Sequence, residues 1–397
     1  MLKYWLVEKY LNKTGKGFCL EKWNSSTLHL GTGMEHGCHH PDPVQIPLTE
    51  LTSPEALTNH KHKQIVRQQM LYGAKPKECD YCWRSNGTQD RVIQSSNWYN
   101  LKNSKITGTT STPKYLEVSF GNVCNLACAY CGPSFSSVWQ QEIEQQGTYP
   151  DDYHKHYVKP IPNNQHNPYI EAFWKWWPEL KEQLMYLRIT GGEPLMSKHT
   201  YTLLEQCKDI NVTVNTNLCV DKKLLDKFCD AAKQIKKLTI SVSGESTNER
   251  AEYARHGLVY KDFLENLVTV HERLPNAKIQ VMSVYNCLCV TTFADFLKDV
   301  KQRVPNIMLS VSRLHNPDFF DHRLINEGKQ ESLQYVKSNF NTQAYKRFEN
   351  IIKDNSAQNL PILREKLINF TTEFDKRRNT NFSNTFPEFS APPRSTQ

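Results

Sequence analysis

Three cysteines stand close together in the segment from Gly121 to Gly132, which reads GNVCNLACAYCG. Cys124, Cys128 and Cys131 are separated by three residues and then by two. Thiolates at this spacing repel one another unless a positive centre lies between them, so a soft metal or an iron–sulfur cluster is the natural occupant. Such clusters commonly take four cysteines. A set of three therefore predicts one iron with an open position for a further ligand.

A second set of cysteines lies nearer the start of the chain. Cys79 and Cys82 form a CxxC pair, and Cys19 and Cys38 precede it at longer spacings. This arrangement is typical of a metal site with four ligands, and both zinc and an iron–sulfur cluster accept such a set. We favour the cluster because of the neighbouring three-cysteine run, and zinc remains the alternative. The other cysteines lack metal-type spacing, and we interpret them as structural.

Composition limits the class of protein. The chain has 397 residues, 38% of them hydrophobic, and a formal net charge of +8. That length allows two domains or one large domain with extensions. The mildly basic charge is weak evidence for a nucleic-acid partner, and without a concentrated Lys/Arg stripe we do not expect one. No apolar stretch is long enough to span a membrane, and early charges interrupt any signal peptide, so we expect a cytosolic protein. In the cytosol, grouped cysteines favour metal chemistry over disulfides.

Strands and helices alternate between residues 114 and 313, the pattern of an α/β domain with a parallel sheet. The predicted strands are 115–120, 185–190, 212–216, 238–243, 278–285 and 307–312. Six strands with intervening helices suit an incomplete barrel, whose chemistry lies on the loops after the strands. The cysteine run, the GGEP sequence that ends at Pro194, and the segments 215–217 and 243–245 all fall on such loops. Their convergence predicts the functional site.

The flanking segments carry fewer signals. We expect a small module over residues 1–86, with a short strand at 27–30 and one helix at 53–72. Residues 87–113 read as a polar linker. Residues 314–397 read as a helical extension, with helices near 326–338, 343–353 and 361–378 and a tail that lacks regular structure. On a continuation of the fifth strand, Cys287 and Cys289 would share one face.

The CxxxCxxC run after a first strand, with the aromatic Tyr130 before its third cysteine, resembles the radical SAM superfamily, and GGEP after the second strand is its second mark. The resemblance covers about residues 114–313 and implies a partial (β/α)6 barrel. It implies a [4Fe–4S] cluster on Cys124, Cys128 and Cys131, with S-adenosylmethionine at the open iron. The implied reaction is reductive cleavage of S-adenosylmethionine to a 5′-deoxyadenosyl radical that abstracts a substrate hydrogen atom, with flavodoxin or ferredoxin as electron donor.

The resemblance also implies a set of contacts with S-adenosylmethionine, carried over by position. The backbone of Tyr130 would meet the adenine, and the fork of Arg255 would pair with the methionyl carboxylate. The remaining implied contacts are those of Gly191, Gly192 and Glu193 with the methionyl amine, of Asn217 with the cosubstrate, and of Ser241 and Ser243 with the ribose. Ser243-Gly244 stands where related enzymes commonly have Asp-Gly.

Residues 1–86 resemble the SPASM/Twitch auxiliary-cluster module, here placed before the barrel instead of after it. This resemblance implies a second iron–sulfur cluster near the substrate, ligated by Cys19, Cys38, Cys79 and Cys82. It also implies a peptide or protein side chain as the substrate. The alternatives are a nucleotide, tRNA or small-molecule substrate and, outside enzymes, a zinc-containing binding module.

Overall fold

The structure is a computed structural model, which describes residues 4–84, 88–101, 106, 108–162, 164–354 and 359–389. Its contacts divide the chain into two compact units. The first unit comprises residues 1–121, 160–191 and 209–212, and the second comprises residues 122–159, 192–208 and 213–397. The chain therefore passes between the units several times, and neither unit is one continuous segment.

The strands are short and are numbered here in chain order. They are β1 Ser25–His29, β2 Met34–His36, β3 Val44–Gln45, β4 Tyr115–Ser119, β5 Ala127–Cys128, β6 Tyr186–Thr190, β7 Asn211–Thr216, β8 Lys237–Ser243, β9 Arg255–His256, β10 Lys278–Tyr285 and β11 Met308–Arg313. Strands β4, β6, β7, β8, β10 and β11 are the six predicted from the sequence, each end within one residue of its predicted position.

Helices lie between most of the strands from residue 114 to residue 313, and in the described part of the chain four helices follow the last strand. The helices are α1 Tyr4–Thr14, α2 Glu21–Asn24, α3 Ala56–Asn59, α4 Lys61–Leu71, α5 Asp80–Trp83, α6 Asp90–Ser96, α7 Ser137–Gln146, α8 Pro168–Leu180, α9 Lys198–Gln206, α10 Lys222–Ala232, α11 Asn248–Ala254, α12 Tyr260–Arg273, α13 Phe293–Arg303, α14 Lys329–Asn339, α15 Thr342–Lys353, α16 Leu360–Arg378 and α17 Phe382–Thr385. Within the described residues, no helix combines the length and the apolar character that crossing a bilayer requires.

The first unit contains a mixed sheet with the strand order β6-β4-β1-β2-β3. Strand β4 pairs in parallel with β6 and with β1, and β2 and β3 continue the sheet as antiparallel neighbours. The register sets Val118 opposite Leu28 on one side and Ile189 on the other, and all three side chains are buried. Such apolar alternation is what fixes the register of a sheet.

The second unit carries a parallel sheet in which β8, β10 and β11 follow one another in space. Its register places Ile240 beside Ile279, and Val281 beside both Val242 and Leu309, each of them buried. Helix α12 packs between α10 and α13. Parallel strands joined by helices confirm the predicted α/β class with a parallel sheet.

The single helix predicted over residues 53–72 was wrong. The structure has two helices, α3 and α4, because His60 between them adopts extended backbone with φ −63° and ψ 159°. The buried His60 ring contacts Glu35, with 3.0 Å between Nε2 and Oε2, and Glu35 also pairs with the buried Lys63. The buried contacts of His60 and Lys63 with Glu35 determine where the helix breaks. Nothing in the sequence around residue 60 indicates these contacts.

Four other features differ from the sequence-based expectations. Helix α1 was not predicted, and the polar linker 87–113 contains α6, which buries Val92. The tail forms helix α17 as far as it is described, with Phe382 packed against Tyr253, while residues 390–397 lie outside the described residues. Cys287 and Cys289 do not extend a strand. Strand β10 ends at Tyr285, and both thiols lie buried in the turn that follows.

Candidate functional site

The loop that carries the three cysteines leads from β4 to α7 and is held by that helix. The Ser136 hydroxyl caps α7 by accepting from the backbone N–H of Trp139 at 3.3 Å, and donates to the Leu126 carbonyl at 2.7 Å. The indole Nε1 of Trp139 donates to the Cys128 carbonyl at 2.8 Å. Because Trp139 is fully buried, the loop is fixed by the core of the second unit.

The three thiols of this loop interact electrostatically. Cys131 lies within electrostatic range of both Cys128 and Cys124. Burial raises the pKa of Cys124 and of Cys131 to about 12, so these groups become thiolates only if a cation holds them in that form. The Cys124 sulfur already accepts the Leu126 N–H at 3.5 Å, and N–H donors to sulfur are a feature of iron–sulfur sites. The donor set therefore fits a cluster held by three cysteines.

The GGEP turn is docked on the cysteine loop. A Cβ on Gly192 would stand 2.3 Å from the carbonyl oxygen of Val123, and the Glu193 N–H donates to that same oxygen at 2.7 Å. Gly191 has a φ of +143°, and a Cβ there would meet the Gly121 carbonyl at 3.1 Å. Both positions require glycine. Gly192 allows the close approach, and Gly191 allows a close approach and adopts a backbone conformation that favours glycine.

The Glu193 side chain is buried and fully engaged. Its Oε1 accepts the Thr216 hydroxyl at 2.7 Å and the Leu195 N–H at 3.0 Å, and its Oε2 accepts the Asn217 N–H at 2.7 Å. Burial outweighs these bonds and raises the pKa of Glu193 to about 7. The predicted contact of Glu193 with the methionyl amine remains a proposal. Because the carboxylate already accepts three hydrogen bonds, we propose that the backbone of this turn makes that contact.

Asn217 connects the end of β7 to the cysteine loop. Its Nδ2 donates to Oδ1 of Asn125 at 3.0 Å and lies 3.9 Å from the Cys124 sulfur. Its Oδ1 accepts the Cys219 N–H at 2.8 Å. Asn217, which we predicted to lie near S-adenosylmethionine, thus also contacts Cys124 and Asn125 and helps to position them.

Arg255 lies opposite Cys128. Strand β9 pairs antiparallel with β5, and the register sets these two residues face to face. The guanidinium forms an ion pair with Glu245, with Nη2 at 2.6 Å from Oε2 and Nε at 2.9 Å from Oε1. The Tyr130 hydroxyl donates to the same Oε1, and burial raises its pKa.

The two serines of β8 occupy different environments. Ser241 is buried within the sheet, paired with Gln280 of β10. Ser243 is half-buried at the end of the strand and lines a small cavity together with Glu245, Arg255 and other residues. Their alternation places both on one side of β8, and their predicted contact with a ribose remains a proposal.

The four cysteines near the start of the chain are linked by electrostatic interactions within the first unit. Cys38 lies within electrostatic range of Cys19, Cys79 and Cys82. Burial raises the pKa of Cys19 and of Cys79 to about 12, and that of Cys82 to about 11. The Cys19 sulfur lies 3.6 Å from the Ser95 hydroxyl.

Two cations accompany these four thiols. Lys22 lies within electrostatic range of Cys38 and Cys79, and Arg91 of Cys19 and Cys82. The ammonium of Lys22 is nearly inaccessible and forms an ion pair with Glu78. Over the described part of the chain, no three His, Cys, Asp or Glu side chains converge as they would on a single metal ion.

Comparison with known proteins bears on the part of the chain that holds the three-cysteine loop. Residues 118–302 match the radical SAM superfamily. This stretch is a radical SAM superfamily domain. A GTP 3′,8-cyclase of Sulfurimonas denitrificans is 25% identical over 158 residues, which is 39% of this chain and 40% of that protein. The chain thus spans less than half the length of the curated relative it matches.

Solved structures provide a more distant similarity. Streptococcus suis SuiB bound to S-adenosylmethionine has a TM-score of 0.39 and 14% identity, covering 91% of this chain and 73% of that chain. The same protein bound to its precursor peptide SuiA has a TM-score of 0.39 and 13% identity, covering 92% and 74% of the two chains.

Two site residues received no role from the sequence. Glu245 was noted only as part of a loop after β8, although it is the anion that holds Arg255. Asn125 follows the first cysteine and bonds both Asn217 and the Cys219 carbonyl. A polar side chain inside the cysteine run was the available signal for Asn125, whereas the partner of Glu245 depends on tertiary structure.

Proposed function

We propose that the chain is a radical SAM enzyme in which Cys124, Cys128 and Cys131 hold a [4Fe–4S] cluster with one iron open to S-adenosylmethionine. When bound, this pair supplies the one-electron cleavage that yields a 5′-deoxyadenosyl radical. The observation that carries the proposal is the docking of GGEP on the cysteine loop. The Glu193 N–H donates to the Val123 carbonyl one residue before the first cysteine, and this contact supports a single site built from the two marks of the superfamily.

The residues around this site hold the cysteine loop and the GGEP turn in fixed positions. Trp139 holds the Cys128 carbonyl, and Asn217 holds the side chain of Asn125. The Glu193 carboxylate joins the GGEP turn to the end of β7. Groups fixed in this way suit a reactive radical, because little rearrangement is left that would admit a competing hydrogen donor.

A second iron–sulfur cluster on Cys19, Cys38, Cys79 and Cys82 is part of the proposal, and zinc is the alternative. The electrostatic interactions of Cys38 with the other three thiols support a shared ligand. Lys22 and Arg91 support it further, because nearby cations stabilise a thiolate-ligated centre that carries net negative charge.

For the substrate we propose a peptide or protein side chain, on the similarity of residues 1–86 to the auxiliary-cluster module. A nucleotide is the second candidate, favoured by the stretch of 158 residues similar to a GTP 3′,8-cyclase. A cytosolic location, with flavodoxin or ferredoxin as electron donor, completes the proposal, since a low-potential reductant is available there.

Anaerobic purification followed by iron, sulfide and zinc analysis tests the cofactors. We expect about eight irons per chain for two clusters, from the seven candidate cysteine ligands and one open site. With dithionite and S-adenosylmethionine, the wild type should form 5′-deoxyadenosine, and Cys128→Ala should not. The buried Cys207 supplies the matched control, and Cys207→Ala should retain the reaction. Zinc without acid-labile sulfide would contradict the enzyme assignment.

The substrate class is tested with the same assay. GTP and synthetic peptides encoded by small reading frames beside the gene are added separately, and 5′-deoxyadenosine and product masses are measured. A peptide whose mass changes in step with 5′-deoxyadenosine supports the first candidate. Consumption of GTP in the same manner would replace it with the second.

A further inference from the structure

Tyr130, Glu245 and Arg255 form a polar cluster in which Glu245 and Arg255 are buried. Glu245 and Arg255 are 1% and 6% exposed. Two of the three guanidinium nitrogens, Nε and Nη2, are taken by the two oxygens of Glu245, and Tyr130 donates to one of these oxygens. The arginine carbon Cζ lies 5.6 Å from the centre of the Tyr130 ring, so the cation has an aromatic face beside it.

The remaining nitrogen of Arg255 is directed at a cysteine. Its Nη1 lies 4.0 Å from the Cys128 sulfur. The β5–β9 pairing sets the two residues directly opposite each other, and opposed residues of an antiparallel pair bring their side chains close together. Backbone register and the Glu245 ion pair therefore both fix the guanidinium in front of one of the three sulfurs.

We propose that Arg255, positioned by Glu245, directs an N–H and a positive charge at the Cys128 sulfur and thereby sets how readily the cluster is reduced. This inference rests on the proposed function, in which Cys128 is a ligand of that cluster. Reduction adds one negative charge, and a fixed cation at this distance in a buried site stabilises the reduced form. Hydrogen bonds to the sulfurs and local net charge are among the main determinants of iron–sulfur potentials.

The competing role for Arg255 is to pair with the methionyl carboxylate. A bidentate pair with a carboxylate uses the fork of parallel N–H donors. In this structure Nε and Nη2 form such a fork with Glu245, which is itself a buried carboxylate. A second carboxylate would have to displace Glu245 or accept only from Nη1, so the geometry favours a positioning role toward Cys128.

The test is a redox titration of the reconstituted full-length protein, followed by electron paramagnetic resonance in the absence of S-adenosylmethionine. Glu245→Gln leaves the cation uncompensated and should raise the midpoint potential of the three-cysteine cluster. Arg255→Gln leaves an uncompensated carboxylate and should lower it. Arg255→Lys keeps the charge and should remain closer to the wild type. A midpoint potential that rises in Glu245→Gln and falls in Arg255→Gln is the signature of this electrostatic role.

Arg250 of α11 provides the matched control. It forms an equivalent two-pronged ion pair with Glu388 and also donates to the Thr291 hydroxyl. Glu388→Gln breaks a comparable pair and should leave the potential unchanged. Iron content and far-ultraviolet circular dichroism identify any variant that fails to fold. If Arg255→Gln is lost in this way, Glu245→Gln and Arg255→Lys still decide the question.

Two results would overturn the inference. Unmoved potentials in the glutamine variants, together with a large loss of S-adenosylmethionine binding by Arg255→Gln in equilibrium dialysis, would assign Arg255 to the methionyl carboxylate. A wild-type protein without an iron–sulfur spectrum would instead remove the proposed function, and this inference with it. The first result leaves the cluster in place, so the two failures are distinguishable.

Discussion

The side chain of Glu193 reaches the backbone of Asn217, with 2.7 Å between Oε2 and the amide nitrogen. The same carboxylate accepts bonds from Thr216 and from the Leu195 N–H. The turn that bears the two glycines is therefore joined to the end of β7 through one acidic side chain, in a place where water does not reach.

Removing this carboxylate should be costly. Glu193→Ala leaves two backbone N–H groups and the Thr216 hydroxyl without their acceptor, and each buried donor left unsatisfied costs about 1–3 kcal/mol. We expect the free energy of unfolding in urea to fall by roughly 3 kcal/mol. Glu205→Ala, at an exposed position of α9, is the control and should change it by less than about 0.5 kcal/mol. Equal effects of the two variants would contradict this role.

Glu193 should also make stability depend on pH. Burial raises the pKa of its carboxyl to about 7 from an ordinary value of 4.5, so the folded state holds this proton more tightly than the unfolded state. The contribution of the Glu193 carboxyl to the free energy of unfolding is therefore fully present below pH 4.5 and is lost as the pH rises through 7. Relative to Glu193→Gln, which does not titrate, the wild type should lose about 2 kcal/mol between roughly pH 5 and pH 8. If the unfolding free energies of the two proteins change equally between the two pH values, the carboxyl titrates normally and the prediction is wrong.

Gly192 should tolerate no side chain. The added Cβ of Gly192→Ala would meet backbone atoms of Asn122 and Val123 at 2.7 Å or less, and backbone cannot move aside cheaply. We expect a loss of about 1–3 kcal/mol in unfolding free energy and a lower iron content, since the cysteine loop must shift. Gly108→Ala is the control, because nothing lies within 4 Å of a Cβ placed there. Normal iron content in Gly192→Ala would argue against the docking of the two segments.

The two cysteine sets should respond independently. Cys82→Ala should lower the iron content while 5′-deoxyadenosine formation is partly retained, because Cys82 belongs to the proposed four-cysteine set and not to the three cysteines proposed to hold the other cluster. Cys207→Ala, at another buried thiol, should keep the wild-type iron content. Unchanged iron in Cys82→Ala would mean that Cys82 is not a ligand.

Much of the fold was predictable because local and tertiary preferences agree. Leu116 and Val118 alternate with polar residues in β4, and both are buried as that period requires. Asp221 caps α10 by accepting the Leu224 N–H at 2.8 Å, and a capping Asp is a signal that the sequence itself carries. Where spacing, capping and burial give the same answer, sequence reasoning succeeds.

The features that escaped prediction depend on partners that are distant in sequence. His60 interrupts a helix because it bonds Glu35, and Arg255 is directed at Cys128 because Glu245 takes its fork. Residues 387–389 follow a polar segment, yet Phe389 is buried and Glu388 pairs with Arg250. Neither periodicity nor capping contains this information, since each case is decided by which charge or ring arrives from elsewhere.

The parallel pairing of β1 with β4 has a consequence for any attempt to divide the protein. All five residues of β4 have a partner in β1, from Tyr115 opposite Ser25 to Ser119 opposite His29. A truncated chain that begins at residue 87 would lose this neighbour and leave one side of β4 as an open edge. Unpaired edges invite association with other chains, so such a fragment should aggregate instead of yielding an isolated catalytic barrel.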